Sequence, residues 1–151
     1  MSAQRPAPRW PRGVGLAVGA MMVGGAGVNT VLVTARPQLY PELGRWLTEL
    51  SPWHSAALEG LWDRTFGEHP RLWGTLIGIG YEGVVGALSL SRDPRRRLAG
   101  LSGAALFKGG LLAMGLWAWA LPWLAVLAPA IAVTARSVGH HDLPVRPRLV
   151  R

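Results

Sequence analysis

The chain has 151 residues, a formal net charge of +8 at neutral pH and no cysteine, and half of its residues are hydrophobic. The lack of cysteine excludes disulfides, thiolate metal sites and thiol redox chemistry on the chain itself. The positive charge does not indicate nucleic-acid binding, because the arginines flank apolar blocks, where basic residues set membrane topology and contact anionic lipid headgroups.

The apolar residues are concentrated in four blocks, and most charged residues lie between these blocks. The blocks cover residues 13–34, 72–90, 98–120 and 121–138. At ~1.5 Å per residue, a helix of about 20 residues matches the ~30 Å hydrocarbon core of a bilayer. The pattern therefore predicts an all-α polytopic membrane protein, with four transmembrane helices in an antiparallel bundle over residues 13–138.

The first block also fits a second interpretation. A basic start, an apolar run and the sequence VTA at 33–35 are together similar to a secretory signal with its cleavage site. The run is long for a signal and three more apolar blocks follow, so we interpret it as the first span. Asn29, near its far end, is a candidate polar neighbour for another helix.

The long loop, residues 35–71, carries apolar residues at helical spacing on both sides of Pro52. This spacing predicts one or two short amphipathic helices, which either lie on the membrane surface or form a packed cap over the bundle. A metal site is disfavoured, because the histidines and acids of the loop lack the spacing of a ligand motif. Those residues are His54, Glu59, Asp63, Glu68 and His69.

The basic clusters predict the orientation of the chain. Residues 1–12 carry three arginines, the connection at 91–97 carries four, and the C-terminal end carries four from Arg136 onward. Four spans place all three clusters on one side, so both termini are predicted to be cytoplasmic in a multi-pass protein of the cell membrane. The tails 1–12 and 139–151 are predicted to be disordered and basic.

Two of the blocks each contain one charged residue. Glu82 lies in the second block and Lys108 in the third, at ~12 and ~15 Å from the same end of two antiparallel helices. Each charge lies on a row of small residues at a spacing of four, where helices pack closely. The rows are Gly74, Gly78 and Gly86 around Glu82, and Gly100 and Ala104 before Lys108.

Since a lone charge costs ~3 kcal/mol at the bilayer centre, we predict that Glu82 and Lys108 approach within ion-pair distance inside the bundle. Such a pair fixes the register of two helices, or it serves proton transfer or the binding of a polar ligand or quinone headgroup. Lysine snorkelling away from Glu82 is a further alternative.

The chain resembles the DoxX-like family of small four-helix membrane proteins. The matching features are a first span, a long loop, three closely connected spans, and Glu82 followed by the run GVVGALSL and the basic stretch 92–97. The resemblance implies an accessory or scaffold subunit, with Glu82 as the matching acidic position and a membrane-associated redox enzyme as a partner class. A quinone-linked redox subunit with a polar pocket around Glu82 and Lys108, and a small proton-coupled transporter, are the alternatives.

No catalytic motif, phosphate loop or cofactor signature is evident in the sequence, so we expect no enzyme activity. The expected partner is the lipid bilayer, and quinone is the cofactor that the second hypothesis requires. Oligomerisation stays open.

Overall fold

The computed structural model describes residues 10–50, 53 and 56–141, with the side chains of 140 and 141 left aside. Every regular element in this part of the chain is helical, which confirms the all-α prediction. The α-helices are α1 (Trp10–Ala35), α2 (Leu39–Leu50), α3 (Ala56–Trp62), α4 (Pro70–Trp73), α5 (Glu82–Leu90), α6 (Pro94–Ala113) and α7 (Trp117–His141). Two π-helical segments, Asp63–Gly67 and Gly74–Tyr81, follow α3 and α4 directly.

Four long helical units form a bundle. They are α1, the continuous run of α4, the π-helical segment and α5 (residues 70–90, called the second helix below), α6 and α7. The second helix packs between α1 and α6, α6 packs on α7, and α7 returns to contact α1. The second helix is antiparallel to α1, because Gly15 of α1 lies beside Ser89 near the end of the second helix, whereas Asn29 lies beside Gly78.

Two helices of the described chain are long and apolar enough to cross a membrane, namely α1 over Trp10–Ala35 and α7 over Trp117–Gly139. The other two long units fall short by composition or continuity. The second helix is divided by its π-helical segment, and α6 includes Lys108 and the three arginines at 95–97. By length and composition, the described residues therefore contain two candidate membrane spans.

The turn between α6 and α7 differs from the sequence prediction. The boundary was expected at residues 120 and 121, before Pro122, but α6 ends at Ala113 and α7 begins at Trp117. Gly115 has a φ of 102°, and Leu116 N–H donates to the Leu111 carbonyl at 3.0 Å, as in a Schellman motif. The left-handed glycine terminates α6, while Pro122 lies within α7.

The loop between α1 and the second helix forms a packed cap. Its elements are α2, α3 and the π-helical turn Asp63–Gly67, which we call the loop cap. Tyr40 and Leu47 of α2 are buried, and the rings of Trp62 and Phe66 stack with centroids 4.5 Å apart. Trp53 Nε1 donates to the Ala113 carbonyl at 3.0 Å, which ties the cap to the end of α6.

The predicted tails lie mostly outside the described residues. Where the described part overlaps them, residues 10–12 belong to α1 and residues 139–141 belong to α7. The N-terminal tail therefore gives way to helix earlier than the sequence pattern indicated.

Candidate functional site: buried polar groups within the bundle

Glu82 is the first residue of α5 and comes directly after the π-helical segment. Its side chain is 8% exposed and turns toward α1. A methyl group built on Gly25 of α1 would collide with Glu82 Oε2. The carboxyl group therefore occupies the space that the missing side chain of Gly25 leaves free.

Asn29 is the hydrogen-bond partner of this carboxyl group. Asn29 Nδ2 donates to Glu82 Oε1 at 3.5 Å and to the Gly25 carbonyl at 3.0 Å, while Asn29 Oδ1 accepts from the Tyr40 hydroxyl at 2.7 Å. The side-chain amide is thus oriented by three contacts, with its oxygen toward Tyr40 and its nitrogen toward Glu82. We call Tyr40, Asn29 and Glu82 the polar chain.

Tyr40 connects the polar chain to the loop cap. Its backbone carbonyl accepts from Trp62 Nε1 at 3.1 Å, and its ring lies 5.6 Å from that of Phe66. Burial, together with the nearby Glu82 carboxylate, raises the pKa of the Tyr40 hydroxyl above its usual value. Tyr40 therefore acts as a neutral hydrogen-bond donor to Asn29.

Lys108 lies in a different environment, although it is equally buried at 3% exposure. Its Nζ atom is 5.5 Å from the ring centroid of Phe107 and 5.4 Å from that of Trp119. Aromatic faces attract a cation at such distances, and the attraction is stronger where water is excluded. Lys108 is therefore surrounded by rings of α6 and α7.

The predicted partners Glu82 and Lys108 both turn into the bundle, but they do not form a direct ion pair. No nitrogen–oxygen contact of 4.0 Å or less joins them in the described part of the chain, where Arg96 and Asp93 do make such a contact at 3.7 Å. Glu82 contacts the amide group of Asn29, and Lys108 contacts aromatic rings, so the nearest partners of each charge are uncharged.

The reason lies in which helix each row of small residues faces. Gly78 and Gly86 of the second helix pack on Asn29 and Val23 of α1, so the row that contains Glu82 belongs to the interface with α1. The residues of the second helix that face α6 come from another row. They are Tyr81, Val85 and Ser89, which contact Gly103 and Gly100.

Tyr40 and Tyr81 are the two site residues that sequence reasoning missed. Tyr81 donates its hydroxyl hydrogen to the Gly103 carbonyl at 2.9 Å, and its ring lies 6.1 Å from that of Phe107 beside Lys108. The sequence indicated that Asn29 needs polar partners, because a side-chain amide in an apolar span requires both donors and acceptors nearby. It did not indicate that Tyr40 is one of them. The site thus contains two tyrosines that link separate elements.

An open cleft of about 350 Å³ lies at the loop side of the bundle. It is lined by Pro37, Glu68, His69, Pro70, Arg71 and Leu72. Within the described residues, no group of three or more histidines and acids is arranged to hold a metal ion. This cleft is separate from the buried groups around Glu82 and Lys108.

Comparison of the chain with protein-family models, with curated proteins and with solved structures returned no match. A carboxyl group held by a neutral amide, and an ammonium group held between aromatic rings, are two polar centres within one helical bundle.

Proposed function

We propose that this protein is a four-span integral membrane protein that serves as an accessory or scaffold subunit. The observation that carries the membrane assignment is the exposure of large apolar side chains along the bundle, together with the burial of two charged ones. Large apolar residues are exposed on every long helix, whereas Glu82 and Lys108 are buried. Water-soluble domains bury apolar groups and expose charges, so this arrangement suits a lipid environment.

The exposed apolar side chains occur along the whole bundle. Val31 is 63% exposed, Val84 60% and Leu106 73%, on α1, the second helix and α6. In water, a continuous apolar surface of this kind would promote aggregation or association. In a bilayer, the same side chains contact acyl chains without cost.

The lengths of the second helix and α6 support two further spans. The second helix covers residues 70–90 and α6 covers Pro94–Ala113, so each is ~30 Å long. Lys108 does not prevent α6 from crossing the membrane, because it is shielded by Phe107 and Trp119. The three arginines of α6 lie in its first turn, at the level of lipid headgroups.

Membrane embedding is tested by extraction of isolated membranes with alkaline carbonate, in which an integral protein stays with the lipid fraction. Topology is tested with single cysteines, because the natural chain has none and each introduced thiol is unique. We expect Glu42→Cys in α2 to react with a membrane-impermeant maleimide in intact cells, and Arg92→Cys to react only after lysis. The opposite pattern would reverse the proposed orientation.

The accessory role is supported by how the buried polar groups are used. Asn29 and Tyr40 join elements of the same chain, as does the bond from Tyr81 to Gly103. Buried polar groups that bond one another fix the register of helices, and this is the use expected of a scaffold. The DoxX-like proteins, which the order of elements resembles, suggest a membrane-associated redox enzyme as the partner class.

Crosslinking in intact membranes followed by purification in mild detergent tests this role. An accessory subunit is recovered with a stoichiometric protein partner, and the partner should be retained by Glu82→Gln, which keeps the shape of the side chain. Recovery of the protein alone, after crosslinking, would contradict an accessory role.

A second candidate is a binding site for a polar headgroup, such as a quinone, and it is favoured by one observation. Glu82 and Lys108 are both buried without a nitrogen–oxygen contact of 4.0 Å or less between them, and the rings of Phe107 and Trp119 lie 5.5 and 5.4 Å from Lys108 Nζ. A flat headgroup with hydrogen-bond acceptors would be complementary to a lysine among aromatic rings. Lipid extracts of the purified protein test it, since a bound quinone should be lost in Lys108→Met.

A further inference from the structure

The end of the bundle opposite the loop cap is strongly basic. Among the described residues it carries one acid, Asp93, and six arginines from three places in the chain. These arginines are Arg12 of α1, Arg92, Arg95, Arg96 and Arg97 around the start of α6, and Arg136 of α7. Excess positive charge at one end attracts anions.

Arg97 differs from the exposed arginines around it, because its side chain is partly buried against α1. Its Cδ atom lies 2.8 Å from the position that a Cβ atom on Gly15 would occupy, so the absence of a side chain at Gly15 makes room for it. Arg97 Nη1 donates a long hydrogen bond of 3.3 Å to the Ser91 carbonyl oxygen. The guanidinium group is thus fixed in a groove between α1 and the turn at residues 91–93.

Arg97 makes few hydrogen bonds to the described part of the chain. Its Nε atom is buried and has no hydrogen-bond partner among the described residues. A guanidinium group has five N–H donors. A buried donor without a partner loses its hydration free energy, and no hydrogen bond within the protein compensates for that loss. An anion at the outer edge of the group does not reach this enclosed atom, but it would accept hydrogen bonds from the terminal nitrogens, and its charge would stabilise the whole delocalised cation.

Asp93, the one acid among the described residues of this end, is already engaged. Asp93 is the N-cap of α6, where its side chain accepts from Arg95 N–H at 3.0 Å and lies 3.7 Å from Arg96 Nε. The carboxylate therefore does not neutralise Arg97. The planar, charged fork of a guanidinium group matches the geometry of a phosphate group.

We propose that Arg97, in the groove beside Gly15, is a specific binding site for a phosphate group. The phosphodiester of an anionic membrane lipid is the source that its position at the bundle end favours, and that part rests on the membrane embedding proposed above. Inorganic phosphate is the other source of the same chemistry. The surrounding arginines attract the anion, and Arg97 holds it.

The test uses the full-length protein in detergent, titrated separately with phosphatidylglycerol, phosphatidylcholine and inorganic phosphate, with thermal unfolding as the readout. For Arg97→Gln we expect the apparent dissociation constant for phosphatidylglycerol to rise about tenfold, the effect of losing charged hydrogen bonds. Arg92→Gln is the matched control, because it removes the same charge from an exposed position of the same cluster. It should change binding about twofold at most, as expected for an exposed charge.

Arg97→Lys keeps the folded shape and the charge but lacks the fork, so its affinity should fall between those of the natural protein and Arg97→Gln. Arg97-dependent stabilisation by inorganic phosphate alone would support the phosphate site and assign it a soluble source. Equal losses in Arg97→Gln and Arg92→Gln, or no dependence of any binding on Arg97, would overturn the proposal. Carbonate extraction reports on membrane embedding separately, so the two failures are distinguishable.

Discussion

The interface of α1 with the second helix and the interface of α6 with α7 each bury one charge, and they do so by different means. At the first interface, glycines let the backbones approach and the polar chain of Tyr40, Asn29 and Glu82 supplies hydrogen bonds. At the second, Lys108 lies against Phe107 and Trp119. A buried carboxylate accepts hydrogen bonds, whereas an ammonium group is also stabilised by aromatic faces, so opposite charges can be buried without pairing directly.

The largest expected effect concerns the glycines of the first interface. An alanine at Gly86 would place its Cβ atom 3.0 Å from Val23 N and 3.1 Å from the Gly19 carbonyl oxygen, which belong to the backbone and cannot turn aside. We expect Gly86→Ala to lower the free energy of unfolding by about 3 kcal/mol, the upper part of the range for overpacking. Unfolding of the purified protein in mixed micelles measures it.

Gly109→Ala is the matched control for that change. Gly109 lies next to Lys108, and a Cβ atom there would meet no atom within 4 Å. Alanine should therefore be neutral or stabilise the protein by up to about 1 kcal/mol, because it favours the helix. Equal destabilisation by both changes would show that the close approach of the backbones at Gly86 is not what makes alanine unfavourable there.

The next effect compares apolar replacements of the two charges. Glu82→Leu leaves an amide hydrogen of Asn29 without its acceptor, so we expect a loss of about 2 kcal/mol of unfolding free energy. Lys108→Met keeps a long apolar side chain among the rings and should change stability by less than about 1 kcal/mol. The same micelle unfolding assay measures both, and a larger loss in Lys108→Met would contradict the comparison.

A smaller effect is expected for Tyr40→Phe, which removes the hydroxyl donor to Asn29 at the junction of the loop cap and α1. The expected loss is about 1 kcal/mol, the usual net value of one hydrogen bond. In the double variant with Asn29→Leu, the loss from Tyr40→Phe should disappear, because its acceptor is absent. Additive losses in this cycle would show that the two side chains act independently.

The smallest effect is expected for Trp53→Phe. The indole is 50% exposed, and its bond to the Ala113 carbonyl links the loop cap to α6 near the surface. We expect at most about 0.5 kcal/mol of destabilisation, since surface substitutions away from buried features have small effects. Proteolysis of the loop should be nearly unchanged, and a large increase would give this bond a greater role than its exposure indicates.

The sequence predicted the helical architecture well because apolar blocks and helix signals are local. The all-α fold, the helical segments of the long loop and the small residues at helix interfaces all followed from spacing. The end of α6 differs from the predicted boundary at residues 120 and 121, because Gly115 adopts the left-handed conformation that ends the helix. Gly115 and Pro122 are both residues that can mark a helix boundary. Only the three-dimensional structure shows that the helix ends at Gly115 and that Pro122 lies within α7.

The sequence predicted which residues belong to the candidate site better than it predicted their geometry. Asn29, Glu82 and Lys108 stood out as polar groups in apolar blocks, but the spacing of Glu82 with Gly78 did not reveal which neighbouring helix that face contacts. The row of Gly78, Glu82 and Gly86 keeps one common face although the segment Gly74–Tyr81 is π-helical. Position along a helix follows from sequence, whereas the rotation of the helix between its neighbours depends on packing.

The central claim is that the carboxyl group of Glu82 bonds the Asn29 amide and does not form an ion pair with Lys108. Solid-state NMR of the protein in lipid bilayers, with ¹³C in glutamate side chains and ¹⁵N in asparagine and lysine side chains, measures both proximities, and Glu82→Gln assigns the carboxyl signal. The account predicts dipolar coupling from Glu82 Cδ to Asn29 Nδ2, consistent with the 3.5 Å bond to Oε1. A Glu82–Lys108 coupling that requires a nitrogen–oxygen distance within 4.0 Å, with no coupling to Asn29, would contradict it.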